Sequence, residues 1–264
     1  VGDRVQFETD RDGQGVIIQS EPRRNYIIRR SSNLSKEAHI LAANIDQAFL
    51  MMTLCMPETP LEFADRFLLT AEAYHIPVIL LINKTDLISG KTIDGLHSVE
   101  KTYRDAGYTC LAISVKNGSG IPEVTGHMKD KTSLLAGNSG VGKSTLINVI
   151  CPDAKLKTMD ISAFHKTGKH ATTYAEMIPL PGGGNIIDTP GIRGFGIIDM
   201  DRNEIGLYFT DIFRISQDCT FHNCTHIHEP GCAVRQAVDE EILARSRYQS
   251  YVNIYSDRNE KYRI

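Results

Sequence analysis

Hydrophobic and polar positions divide the chain into three stretches with different periods. Residues 1–36 alternate in short runs, Arg4-Val5-Gln6-Phe7-Glu8, Gly15-Val16-Ile17-Ile18-Gln19 and Asn25-Tyr26-Ile27-Ile28-Arg29, separated by polar and glycine-containing turns. A period of two between turn signals predicts a small β-unit, and both a partial OB-like barrel and a simple β-meander fit it. Residues 37–200 carry apolar runs that predict strands at 49–54, 78–83, 109–114, 133–137 and 185–188. Longer helical stretches at 60–74, 97–106 and 142–150 lie between them. Apolar strands alternating with helices belong to a mostly parallel sheet covered on both faces, an α/β architecture. Over residues 201–264 the strand signal fades, and helical segments flank a Cys/His cluster.

Composition narrows the class without naming an activity. The 264 residues suit one large domain, or a medium one with small appendages. A net charge of -3 provides no global field for nucleic acid, so any basic surface must be local. No apolar run approaches the ~20 residues needed to cross a bilayer. The chain opens at Val1 rather than methionine, so a short preceding piece is expected, and its first residues do not resemble a signal peptide. Of six cysteines, Cys55, Cys110 and Cys151 are scattered, while Cys219, Cys224 and Cys232 are clustered. That distribution fits a metal site in a reducing cytoplasm better than a disulfide scaffold.

The chemistry begins at Gly137-Asn138-Ser139-Gly140-Val141-Gly142-Lys143-Ser144, which matches G-x-x-x-x-G-K-[ST] without a mismatch. A short predicted strand precedes it, and Thr145-Leu146-Ile147-Asn148 continues as a helix. Glycines let the backbone wrap a polyphosphate, and the amides with the helix N-terminus supply positive potential. Lys143 is expected on the β- and γ-phosphates, and the Ser144 hydroxyl on Mg²⁺.

A second motif, Asn83-Lys84-Thr85-Asp86, follows a predicted strand and chooses the base. A carboxylate at Asp86 accepts two hydrogen bonds from guanine N1–H and N2–H₂, whereas adenine would leave it unpaired. Lys84 is expected along the base plane, and Asn83 as the tie that holds the loop. Ser114-Val115-Lys116, after the next strand, resembles the S-A-K element of GTPases, which offers a backbone N–H to guanine O6. Asp188-Thr189-Pro190-Gly191 fits D-x-x-G, with Asp188 holding Mg²⁺ through water and Gly191 N–H sensing the γ-phosphate. Ile192 stands where many GTPases carry a water-orienting glutamine. Gly140 leaves no side-chain ligand for a K⁺ ion.

These elements occur in a rotated order. The base-reading pair comes first, and the phosphate loop and D-x-x-G follow. Circular permutation of one sheet accounts for this, because domain termini often lie close together. Near the C-terminus, Cys219, Cys224 and Cys232 with one histidine complete a tetrahedral Zn²⁺ set, which would be structural because no ligand position stays open. Spacing alone leaves His222, His226 and His228 as alternatives.

With these residues in place, the chain resembles the circularly permuted, ribosome small-subunit-dependent GTPase A family. Ala43-Asn44-Ile45-Asp46-Gln47, the four nucleotide motifs, Glu229-Pro230-Gly231-Cys232-Ala233-Val234 and Arg247-Tyr248 with Ser250-Tyr251 carry the likeness. The resemblance implies a partial OB-fold over 1–36, a permuted G domain over 37–200 and a helical zinc module over 201–264. It selects His226 as the fourth zinc ligand. It also reads Gly168-Lys169-His170-Ala171-Thr172-Thr173 as switch I, with His170 orienting water and Thr172, or else Thr173, on Mg²⁺. Ala171 departs from the family pattern.

The implied activity is Mg²⁺-dependent GTP hydrolysis to GDP, slow alone and faster on the small ribosomal subunit, and coupled to its late maturation. The implied partner is 16S rRNA in that subunit, met by a cytoplasmic monomer. Arg23, Arg24, Arg29 and Arg30 around Tyr26 are expected to contact rRNA. So are Arg245, Arg247, Tyr248, Tyr251, Arg258, Lys261 and Arg263 in the tail; ordinary solvated charge is the competing reading. Arg193 fits a phosphate contact, an rRNA contact or, equally, a plain surface role. A different class also fits the motifs: a nucleotide-gated RNA-binding module in which hydrolysis is incidental.

Overall fold

The structure, a computed structural model, describes residues 1–9, 13–30, 38–156, 175–188 and 200–256. Four strands open the chain: β1 (Val5–Thr9), β2 (Gly15–Ser20), β3 (Tyr26–Arg30) and β4 (Ala38–Ala43). They form two antiparallel pairs, β1 with β2 and β3 with β4. The β-unit predicted from alternation is therefore present. On β1 and β2 its apolar side chains Phe7, Val16, Ile17 and Ile18 are exposed.

The central sheet contains β5 (Gln47–Thr53), β6 (Val78–Asn83), β7 (Thr109–Ala112), β8 (Thr132–Gly137), β9 (Glu176–Pro179) and β10 (Asn185–Asp188). Its order is β7-β6-β5-β8-β10-β9, parallel throughout except for the antiparallel β9 edge. Every residue of β5 and β6 is buried, as expected for strands covered on both faces. The pleat sorts their side chains by parity. Leu50, Met52, Leu80 and Ile82 enter one core with α1 (Leu61–Ala73) and α2 (Lys91–Asp105). Phe49, Met51, Ile79 and Leu81 enter the other, with α3 (Ile121–Met128) and α4 (Lys143–Ile150). On α1, Ala64, Phe67, Leu68 and Ala71 form the buried stripe at helical spacing.

Three elements escape the hydrophobic pattern. In α3, Pro122 and Gly126 resemble breakers, yet proline is tolerated in a first helical turn and Gly120 before it takes the left-handed φ of +75°. The four-residue β9 exists through its pairing with β10, and β4 through its pairing with β3. Helix α2 also starts earlier than residue 97, directly after Gly90.

The C-terminal region comprises a 3₁₀ stretch (Arg202–Tyr208), α5 (Thr210–Ser216), α6 (Ala233–Asp239) and α7 (Arg245–Ser256). Its core gathers Ile205, Phe209, Ile212, Val234, Tyr251 and Ile254, and Leu69 of α1 joins it. Across the same seam Arg247, only 1% exposed, meets two carboxylates. It donates to both oxygens of Asp211 at 2.9 and 3.0 Å and to Asp65 Oδ1 on α1 at 2.6 Å. Its guanidinium also lies 4.7 Å from the Phe209 ring centroid.

This corrects the expectation that Arg247 and Tyr251 meet rRNA; Tyr248 beside them is half-buried. Arg247 and Tyr251 are core residues, and both tyrosine hydroxyls bond backbone carbonyls inside the module. Arg258, Lys261 and Arg263 lie outside the described residues. At the other end, Arg23 pairs with Asp3 and Arg24 with Asp46, so neither is an unpaired cation. No helix among the described residues is long and apolar enough to cross a membrane.

Candidate functional site

The strand order brings the ends of β6, β7, β8 and β10 to one rim of the sheet, where ligands settle in open parallel α/β folds. The phosphate loop runs from β8 into α4. Gly137 has φ +144°, and a Cβ there would sit 2.2 Å from the Met51 carbonyl oxygen. Gly142, at φ +108°, would bring a Cβ within 2.5 Å of Asn83 Nδ2. Both positions thus require glycine for conformation and for close approach. Lys143 Nζ donates to the Gly137 and Asn138 carbonyls at 2.7 and 2.8 Å, folding back across the mouth of the loop. Burial lowers its pKa to about 8, against the opposing pull of Asp188. Ser139, Gly140 and Val141 complete the loop, and Ser144 and Thr145 lie in the first turn of α4.

Asn83, at the end of β6, binds three segments together. Its Nδ2 donates to the Val141 carbonyl at 2.8 Å, and its Oδ1 accepts from Val115 N at 3.1 Å. One buried amide therefore fixes the base-reading loop against both the phosphate loop and the Ser114-Val115-Lys116 loop. Lys84 adopts a left-handed φ of +66°, and a short 3₁₀ turn (Thr85–Leu87) follows. Thr85 bonds the Ile113 carbonyl through both its backbone N–H and its hydroxyl. Ser114 Oγ donates to Asp86 Oδ1 at 2.6 Å, and Lys116 Nζ stands 3.7 Å from Asp86 Oδ2. The serine bond first, and Lys116 as a lesser cause, hold Asp86 below the usual carboxylate range. An ionised acceptor is the form that guanine recognition requires.

Sequence reasoning missed one support of this site. Lys84 Nζ donates to the Met56 carbonyl in the turn after β5. That turn is braced by Thr59 Oγ1, which accepts from Thr53 N at 3.1 Å, and by Thr53 Oγ1, which donates to the Pro57 carbonyl. Only the pairing of hydroxyls with nearby backbone hinted at it, and residues 53–59 match none of the nucleotide motifs.

Asp188 ends β10, buried and within electrostatic reach of Lys143. Gly191, His170, Thr172, Thr173 and Arg193 lie outside the described residues.

The Cys/His cluster forms a second site, in the C-terminal module. The ligand atoms of Cys219, Cys224, His226 and Cys232 all lie within 4.8 Å of one another. His226 Nδ1 is 3.6 Å from Cys219 Sγ and 3.5 Å from Cys232 Sγ. A tetrahedral ion with sulfur and nitrogen ligands needs donor–donor edges of about 3.5 Å, so these residues fit one. His222 and His228 are exposed and outside this group.

The loop is shaped by Glu229. Its carboxylate accepts from Thr225 N and Oγ1, Ile227 N and His228 N at 2.6 to 3.2 Å. Burial works against its ionisation, but these donors outweigh that and bring its pKa to about 2. Tyr248 and Tyr251 anchor the same loop through the His226 and Thr225 carbonyls, both at 2.7 Å. The family likeness includes these three residues, but nothing in the local sequence shows that they brace the loop.

Comparison with known proteins agrees with this arrangement. The family described as RsgA GTPase matches residues 20–198. Bacteroides thetaiotaomicron has a small ribosomal subunit biogenesis GTPase RsgA 2 that is 51% identical over 264 residues, spanning 100% of this chain and 85% of its own. The small ribosomal subunit biogenesis GTPase RsgA of Phocaeicola vulgatus is 52% identical over the same shares. The crystal structure of YjeQ from Thermotoga maritima superposes with a TM-score of 0.79 at 35% identity, over 97% of this chain and 82% of that one. YloQ, described as a circularly permuted GTPase, superposes at 0.76 with 33% identity, over 97% and 79%. With three nucleotide motifs and Asp188 of the fourth on one sheet rim, and the four in rotated order along the sequence, the chain belongs to the RsgA GTPase family.

Proposed function

We propose that this chain is a Mg²⁺-dependent GTP hydrolase whose turnover is raised by the small ribosomal subunit and which serves the late maturation of that subunit. The observation that carries the nucleotide reading is the Asn83 tie, which holds a carboxylate and a phosphate loop at one rim in fixed relation. In this reading Asp86 accepts from the guanine edge while Lys84 lies along the base, and Val115 and Lys116 line the O6 side beyond Ser114. Amides from residues 137–145 surround the β-phosphate. Lys143 leaves its two carbonyl partners for the β- and γ-phosphates, so charged donors meet the bond that breaks.

Mg²⁺ would be held by Ser144 and Asp188 with Thr172, and it supplies charge neutralisation at the phosphates when bound. Gly191 would sense the γ-phosphate, and His170 would orient the attacking water. Zn²⁺ is the ion we assign to the Cys₃His set, as a structural staple. We keep the division into units at 1–36, 37–200 and 201–264, and note that the strand Ala38–Ala43, just past the first boundary, pairs with β3 before it. The relatives' shared description supports the ribosomal partner; contacts with 16S rRNA and a cytoplasmic monomer are the finer part of the same proposal.

The test is GTP turnover measured with and without purified small subunits, in Mg²⁺ and in EDTA. Turnover raised several-fold by subunits and abolished by EDTA is expected. Equal rates with and without subunits would contradict the coupling and favour a nucleotide-gated RNA-binding module instead.

A further inference from the structure

Strand β5 carries none of the nucleotide motifs, yet it lies between β6 and β8, the strands that deliver the base-reading and phosphate loops. Its exit turn, residues 53–59, therefore emerges between those two loops, with β5 before it and α1 after it. Two threonines knot the turn. Thr59 N donates to the Thr53 carbonyl at 2.8 Å, Thr59 Oγ1 accepts from Thr53 N at 3.1 Å, and Thr53 Oγ1 donates to the Pro57 carbonyl. Thr53 and Thr59 are both buried, so these hydroxyls serve the turn itself and not solvent. What the knot presents outward is the Met56 carbonyl, which accepts from Lys84 Nζ.

The two lysines of the site thus differ before any nucleotide arrives. Lys143 Nζ is folded onto the Gly137 and Asn138 carbonyls of its own loop and must leave them to meet a phosphate. Lys84 is half-buried, has a left-handed φ of +66°, and has its ammonium tied to a segment outside all four motifs. A long flexible side chain loses rotamer freedom when a ligand orders it, and a seat in the free protein removes that cost from binding.

We propose that Thr53 and Thr59 are positioning residues for guanine-nucleotide binding: they hold the Met56 carbonyl where it seats Lys84 in advance, with the lysine stem already placed for the face of the base. The proposal rests on the reading above that Lys84 lies along the guanine plane. A plain tether between two loops would use the same hydrogen bonds but would not act through Lys84, and that difference is measurable.

The experiment is a double-mutant cycle on the whole chain, with GDP and inorganic pyrophosphate as calorimetric probes and thermal melting as the check on folding. Thr59→Val is expected to weaken GDP about fivefold, the scale of ordering one long side chain on binding, and to leave pyrophosphate unchanged. In a Lys84→Ala background the same substitution is expected to have no further effect, because the residue it positions is gone. Thr59→Ser keeps the hydroxyl and is expected to bind GDP as the unaltered chain does. Thr53→Val, which removes the bond to the Pro57 carbonyl, is expected to follow Thr59→Val and serves in its place if that variant does not fold. Unchanged GDP affinity in both valine variants overturns the proposal. So does equal weakening of GDP and pyrophosphate, or a Thr59→Val effect that survives undiminished in the Lys84→Ala background. Lys84→Ala alone tests the underlying reading separately: intact GDP affinity there would contradict Lys84 as a base contact, with the turn left unaltered.

Discussion

The nucleotide rim and the C-terminal module reach fixed geometry by opposite routes. At the rim, order comes from parallel strands buried on both faces, whose ends deliver three loops that one amide, Asn83, joins. Asp188 is buried there with Lys143 beside it, and main-chain groups take part in most of the contacts. The module has short helices and a small core, so it concentrates polar groups inside: four metal-type ligands, a carboxylate near pKa 2, and an arginine between two aspartates. A sheet tolerates the loss of any one polar contact better than a small core does. The two regions will therefore fail under different perturbations.

Removing the metal ligands' partner is expected to have the largest effect. Chelation of Zn²⁺ should unfold the module, because metal binding free energy in such units is folding free energy. Far-UV circular dichroism should lose helix while GDP binding by the sheet persists. Simultaneous loss of both would mean that the sheet and the module unfold as one cooperative unit.

Next comes Arg247→Ala. It leaves Asp65 and Asp211 buried against each other, and breaking a buried pair in this way costs about 3–5 kcal/mol. Burial already pushes Asp65 above the ordinary carboxylate range despite Arg247 beside it. Urea denaturation should show the loss. A smaller penalty should follow Arg247→Met with Asp65→Asn and Asp211→Asn together, since that triple change leaves no unpaired charge.

A smaller effect concerns pH. Burial sets Lys143 near pKa 8 in the free site, and a polyphosphate must raise that value by favouring the ammonium. The contribution of Lys143 to affinity is therefore complete below pH 8. It declines as pH rises from about 8 toward the bound pKa, by up to about tenfold per unit. Calorimetry in two buffers of different ionisation enthalpy should detect proton uptake on GDP binding near pH 8, where the phosphates of GDP are already fully ionised.

Legibility in the sequence follows the same divide. The rim was readable because each motif spans one strand and the loop after it, so spacing alone carried the geometry of Gly137, Asn83 and Asp86. Permutation changed the order of the motifs and left each one intact. The turn at residues 53–59 that holds Lys84 was not readable, because it acts through the Met56 carbonyl rather than a diagnostic side chain.

The module's metal ligands were visible as a cluster, whereas its internal bracing was not. Arg247 reaches Asp65 across 182 residues, a distance no local pattern encodes. Helix α7 does bury positions 247, 250, 251 and 254 at helical spacing. Two of the four are arginine and serine, so residue type hid a stripe that spacing would have disclosed. Glycines and a proline hid α3 in the same way, since breakers count against a helix until its first turn is located.

The central claim is that Asp86, held ionised by Ser114, selects guanine at a rim assembled by Asn83. Isothermal titration of GDP and xanthosine diphosphate into the unaltered chain and into Asp86→Asn tests it directly. Asp86→Asn is expected to lose about 100-fold or more in GDP affinity and to gain xanthosine diphosphate. GDP binding unchanged by the substitution would contradict the assignment.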